Sequence, residues 1–247
     1  MFGIIGGSGL AKLSALEAPR RQVMRTPFGE PSGAITFGKL DGSPIVFVAR
    51  HGYGHTLAPH EINYRANIWA LKELGVEGIF ALATVGSIRA DLAPGSLVVP
   101  HQLLDYTHSR DCTFFEGGGT PVTHIDFTQP YTQAQRARLL DAALRAGERV
   151  FDGAVYACMQ GPRLETAAEI DRLERDGADV VGMTGMPEAV LAREAGLPYA
   201  SLSVVVNHAA GRGDSRLRVE LAQLDQVLEQ TIMRAVRVLE FAVGEGA

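Results

Sequence analysis

Cysteine is almost absent: Cys112 and Cys158 are the two thiols in 247 residues. Two cysteines so far apart make no disulfide framework and fit a reducing compartment. Basic charge is scarce as well, with 23 Lys and Arg against 28 Asp and Glu and a formal charge of −5. Without a basic stripe the chain lacks the electrostatic footprint of a nucleic-acid binder. No apolar run approaches the ~18 residues that a membrane span needs. The first residues, MFGIIGGSGL, lack the positive leader and long apolar core of a signal peptide. Repeats and linker-like stretches are missing too. The expectation is one cytoplasmic domain, 1–247, with no nucleic-acid or membrane partner and an apolar fraction of 46% to build its core.

What the chain does have is alternation. Strand-length apolar runs at 2–5, 45–49, 78–83, 97–99, 153–158, 179–183 and 199–206 alternate with helical patterns at 60–74, 132–147, 166–177 and about 219–243. Residues 34–38 and 45–49, around Asp41-Gly42, read as a hairpin. This order predicts an α/β single domain with a central mixed β-sheet flanked by helices. The helix after residue 166 has its ends written in. Thr166 and Glu169 form a capping box, Ile170 and Leu173 share a face, and Gly177 supplies a left-handed stop. The next strand breaks at Thr184-Gly185-Met186 before Pro187, a residue suited to the first turn of a helix. A hydroxyl there predicts an anion site, because unpaired N–H groups and the helix dipole converge.

Other strand ends carry chemistry. Gly6-Gly7-Ser8-Gly9 follows the first strand and fits neither G-x-G-x-x-G nor a Walker loop; it is either a plain turn or an anion cradle with the Ser8 hydroxyl. Arg50-His51 ends the 45–49 strand. A buried arginine requires an anion or a carboxylate, and its planar fork suits phosphate oxygens. His51, His55 and His60 invite a metal reading, but their spacing is not that of a helical HExxH motif, and Gly52, Gly54 and Pro59 place the first two on a loop. The irregular stretch 105–130 is long enough to be functional or held by a partner. Residues 210–217 read as a lid-type loop.

GPRLET at 161–166, followed by VVGMTGMPEAVLAREAGLPYA at 180–200, resembles the trimeric nucleoside phosphorylases, a family that includes the purine nucleoside and methylthioadenosine phosphorylases. Further pieces of the resemblance run from residue 4 to about residue 240. It implies that one phosphate ion is shared by Ser8, Arg50, His51, Thr184 and the strand end at Ala83-Thr84. Some members carry a hydroxyl where this chain has Ala83, so the backbone N–H would serve there. Met183 is implied beneath the ribose and His55 near its 5′ end. His124 is implied to reach a neighbouring subunit's site in a homotrimer. The family uses no metal or cofactor; inorganic phosphate is a co-substrate.

The base would be read by Glu165, with Leu164 beside it, and by Asn207, followed by His208 and Ala209. A carboxylate accepts from the N1–H of a 6-oxopurine but faces a lone pair on adenine N1, while an amide donates to O6 or N7. Methylthioadenosine phosphorylases instead carry aspartates at the positions of Asn207 and Ala209 and a small hydroxyl residue at that of Glu165. The histidine that binds a 5′-hydroxyl in purine nucleoside phosphorylases aligns with Val227, flanked by Leu224 and Leu228. An apolar wall there disfavours a buried hydroxyl and suits a methylthio group. The expected reaction is phosphorolysis of 5′-methylthioinosine, with His51 on the phosphate, Glu165 holding N1–H and Asn207 stabilising charge at N7 and O6. Alternatives are a general 6-oxopurine or a methylthioadenosine phosphorylase, and more remotely a metal-dependent hydrolase or a non-catalytic nucleoside binder.

Overall fold

The computed structural model describes residues 1–7, 15–117 and 119–244, with the backbone alone over 221–226. Ser8 therefore lies outside the described residues, as does the side chain of Leu224. The described strands join in one mixed sheet. β1 (Phe2–Gly6), β2 (Glu17–Gln22), β3 (Ile35–Leu40) and β4 (Ser43–Ala49) make one wing, in the order β2-β3-β4-β1. β5 (Ile79–Ser87) runs through the centre. The rest is built by β6 (Leu97–Val99), β7 (Gln102–Asp105), β8 (Val150–Asp152), β9 (Val155–Cys158), β10 (Val180–Gly182) and β11 (Tyr199–His208).

β5 decides where a ligand can sit. β11 runs parallel along one edge of it, from Tyr199 opposite Ile79 to His208 opposite Ser87. The other edge is divided. β1 pairs with Ile79, Phe80 and Ala81, whereas β10 pairs antiparallel with Gly86 and Ser87. Between them, from Leu82 to Val85, no described strand covers that edge.

The two faces follow the period-2 alternation of the strands. Ile5, Ala81 and Ala83 pack on one side with α1 (Tyr64–Glu73). Ile4, Phe80 and Leu82 pack on the other with α2 (Gln133–Ala146). α3 (Ala167–Arg175) closes over a smaller cluster through Ile170 and Leu173, with the Thr166–Glu169 capping box formed as expected. α4 (Gly185–Glu194) joins the α1 face and α5 (Leu221–Val243) the α2 face. No described helix is long and apolar enough to cross a membrane.

Several elements differ from expectation. β2 is exposed along its whole length, so it carried no apolar alternation to read. β7 and β8 are only 4 and 3 residues long. α1 begins at Tyr64 rather than residue 60, because Asn63 caps it through Oδ1 to the Ala66 N–H at 3.0 Å. Trp69 is half-buried in an aromatic group with Phe28 and Phe114. The 132–147 helix buries one face through Leu139, Ala142, Ala143 and Ala146. In α4, Met186 and Pro187 are non-helical, so the regular helix starts after them. Proline disfavours the helical conformation in the residue before it. The helix dipole expected to point at Thr184 is thus set back by several residues.

Candidate active site

The gap in the β5 edge opens into a cavity of about 440 Å³, within the usual range of a small-molecule site. Five strand ends supply its wall. Gly7 comes from the end of β1, Arg50 and His51 from β4, Ala83 to Gly86 from β5, Met183 and Thr184 from β10, and Asn207 from β11. His55, Leu164, Glu165 and Ala209 complete the set of expected residues that the fold brings together. His124 is exposed and does not line the cavity of its own chain. His208, Val227 and Leu228 are half-buried and do not line it either; Leu228 packs on the second core cluster. His60 is exposed and away from the cavity, and among the described residues no three His, Cys, Asp or Glu side chains converge as a metal-binding group.

Arg50 is fully buried, and the partner it meets is a carboxylate. Nε donates to Glu188 Oε2 at 2.6 Å and Nη2 to Glu188 Oε1 at 2.8 Å, while Tyr199 Oη donates to Oε1 at 2.8 Å. Nη1 donates to Leu82 O at 3.0 Å, a carbonyl in the uncovered stretch of β5. Among the described residues three of its five donors are satisfied, one N–H on each terminal nitrogen having no partner there, and Arg50 lines the cavity. Burial alone would depress the guanidinium pKa; the Glu188 charge and hydrogen bonds outweigh it and raise the value. Gly7 makes this approach possible, since a Cβ there would lie 2.9 Å from Nη1 and 3.0 Å from Leu82 O.

His51 is held in one tautomer. Nδ1 lies 2.8 Å from Leu57 O, an oxygen that can only accept, so Nδ1 carries the proton. Desolvation lowers its pKa to about 4, the Leu57 bond opposing and Arg50 and His55 assisting. The ring is therefore neutral at pH 7, with Nε2 an acceptor. A P–OH group can donate to it; a bare phosphate oxygen cannot be bonded by it.

Thr184 is buried, and its hydroxyl makes no cap bond to α4; its side chain bonds the Tyr156 hydroxyl instead. Its N–H donates to Tyr156 Oη at 3.4 Å, and the Met186 N–H donates to Cys158 Sγ at 3.2 Å. Tyr156 lies flat beneath this turn: a Cβ on Gly182 would sit 2.1 Å from its hydroxyl. Sequence reasoning missed Tyr156, Glu188 and Tyr199, buried groups that support the ligands from behind and carry no motif.

Glu165 and Asn207 face the same cavity. Burial pushes the Glu165 carboxyl above its ordinary range, with its own backbone N–H pulling the other way. Asn207 reaches the wall through a bulge: Val205 stands opposite Val85 and Asn207 opposite Gly86, leaving Val206 as the inserted residue. A bulge re-aims the side chains that follow it. Asn207 Nδ2 donates to His208 O at 2.6 Å, which fixes the amide's orientation; among the described residues its other N–H and Oδ1 have no partner. The 210–217 loop is pinned beside it, with Arg212 donating to Asp171 at 2.9 Å and to Glu174 at 2.8 Å on α3.

A buried arginine, a neutral histidine, an amide and a raised carboxylate line one small-molecule cavity at the open edge of a mixed sheet. Residues 1–242 match the phosphorylase superfamily, and the chain belongs to it. It is 52% identical over 228 residues, 92% of each chain, to a probable S-methyl-5′-thioinosine phosphorylase of Pseudomonas syringae pv. tomato. It is 44% identical to a 6-oxopurine nucleoside phosphorylase of Pyrococcus furiosus, over 95% of this chain and 90% of that one. Among solved structures, the methylthioadenosine phosphorylase of Schistosoma mansoni in complex with adenine superposes with a TM-score of 0.92 at 32% identity, covering 98% of this chain and 90% of the other.

Proposed function

We propose that the chain catalyses reversible phosphorolysis of S-methyl-5′-thioinosine to hypoxanthine and 5-methylthioribose 1-phosphate. The observation that carries the base assignment is Glu165 and Asn207 in one cavity with Arg50, His51 and Thr184. Phosphate held by Arg50 and Thr184, with its P–OH on His51 Nε2, attacks C1′ as the glycosidic bond loosens. Catalysis is then mainly orientation plus stabilisation of charge on the departing base. Glu165 accepts from N1–H, and the other Asn207 N–H meets N7 or O6. Ser8 is assigned to the phosphate on the resemblance alone. No cofactor takes part; inorganic phosphate is the co-substrate.

The whole chain acts as one catalytic domain, in the cytoplasm, where Cys112 and Cys158 stay free. A homotrimer completes each site, His124 of a second copy reaching the sugar; His124 is exposed and does not line the cavity of its own chain, which supports this. The methylthio preference draws on the relatives of that name. A general 6-oxopurine nucleoside phosphorylase is the second reading. His55 on the cavity wall can bond a 5′-hydroxyl, and Val227 does not line the cavity.

One panel decides: adenosine, inosine, methylthioadenosine and methylthioinosine, each with and without phosphate. The expected result is phosphate-dependent cleavage with methylthioinosine best. Inosine cleaved equally well supports the second reading, and phosphate-independent, chelator-sensitive cleavage removes both.

A further inference from the structure

Arg110 belongs to the long segment after β7, an element the reaction has not so far required. Its guanidinium is the most heavily bonded side chain beside the site. Nη1 donates to Met183 O at 2.9 Å and Met186 O at 2.6 Å and lies 3.3 Å from Tyr64 Oη. Nη2 donates to Gln160 O at 2.7 Å and Met159 O at 3.3 Å, and Nε to Gln160 Oε1 at 3.2 Å. Every one of these partners is a neutral oxygen. The carbonyls belong to two different chain exits. Met159 and Gln160 leave β9 and lead through Gly161-Pro162 to Leu164 and Glu165. Met183 to Met186 leave β10 and include Thr184.

The two exits carry the two halves of the site. Glu165 is on the first, and Met183 with Thr184 is on the second. β9 and β10 are paired only as far as Cys158 and Gly182. Beyond that point one further ladder-like bond, Met159 N–H to Gly182 O at 2.8 Å, holds them. Past it, the planar fork of Arg110 is what spans the exits, one terminal nitrogen to each. Lysine, with its donors on a single nitrogen, cannot reproduce a fork that sets a separate nitrogen on each exit.

We propose that Arg110 is a positioning residue that sets the separation between the base-reading segment and the phosphate and ribose turn. The inference rests on the phosphorolysis reading above. Nucleophile and leaving group sit on opposite exits, so a small change in their spacing acts on the chemical step more than on either ligand alone.

The test compares wild type with Arg110→Ala and Arg110→Lys in kcat, in the Kd of hypoxanthine alone, in the Kd of phosphate alone, and in Tm. Arg110→Ala is expected to lose about 10²-fold in kcat, with each single-ligand Kd within about threefold of wild type. Arg110→Lys should be no better, while millimolar guanidinium ion should restore part of the kcat of Arg110→Ala without affecting wild type. Wild-type kcat in Arg110→Ala would overturn the proposal. So would a loss of kcat matched by equal losses in both affinities and in folded fraction, the signature of a purely structural role. Inactivity of the wild-type enzyme toward the whole nucleoside panel would instead strike the functional reading.

Discussion

Arg50 and Glu188 meet as a two-pronged ion pair inside the sheet, 2.6 and 2.8 Å apart at their paired atoms, each side chain 1% exposed. They are far apart in sequence, on the end of β4 and the start of the regular part of α4. The carboxylate does two things at once. It neutralises a charge that could not otherwise be buried, and it fixes the guanidinium where Arg50 lines the cavity.

That pairing separates a folding role from a binding role. Arg50→Ala should cost about 3–5 kcal/mol, because it strands a buried carboxylate. The double variant Arg50→Met/Glu188→Met should recover most of that stability, as apolar replacement of a buried pair often does. Both should show a strongly raised phosphate KM. Thermal melts with phosphate kinetics read the two effects apart. A normal phosphate KM in the double variant would remove Arg50 from the phosphate site.

Glu165 predicts a pH-dependent choice of base. As an anion it accepts from N1–H; protonated, it can donate to adenine N1. Because its carboxyl is raised by burial, the ratio of kcat/KM for methylthioinosine over methylthioadenosine should fall on acidification from about pH 8 to about pH 5. His51, at about 4, stays neutral across that interval and does not confuse the reading. A ratio independent of pH, or one equal in Glu165→Gln, would sink the assignment.

His51 predicts an acid-side loss of stability. Its folded pKa of about 4 lies below the unfolded value of 6.5. The folded state therefore binds fewer protons than the unfolded one, so stability is full above the unfolded value and falls as pH drops toward the folded value. The contribution at stake is about 3 kcal/mol. In His51→Asn, whose amide can still donate to Leu57 O, this part of the pH dependence should vanish. Chemical denaturation at stepped pH measures it; an unchanged slope between wild type and variant would contradict the depressed pKa of His51.

Local chemistry made much of the molecule legible in one dimension. The capping box at Thr166–Glu169, the turn at Asp41-Gly42 and the β-branched run 199–206 depend on neighbours within a few residues, so the chain alone determined them. The same holds for the strand-end positions of Arg50, Thr184 and Asn207, since strands of an α/β sheet deliver their last residues to one edge. Tertiary structure decided what those residues meet. Glu188 looks like any helix-start acid until β4 and α4 are packed together. Tyr156 becomes a floor for Thr184 only when β9 pairs with β10. Arg110 acquires its six neutral partners only when the exits of two strands lie side by side. Contacts of this kind join residues 28 to 138 positions apart, and no periodicity or spacing encodes such a distance. They depend on chain closure, which the sheet supplies.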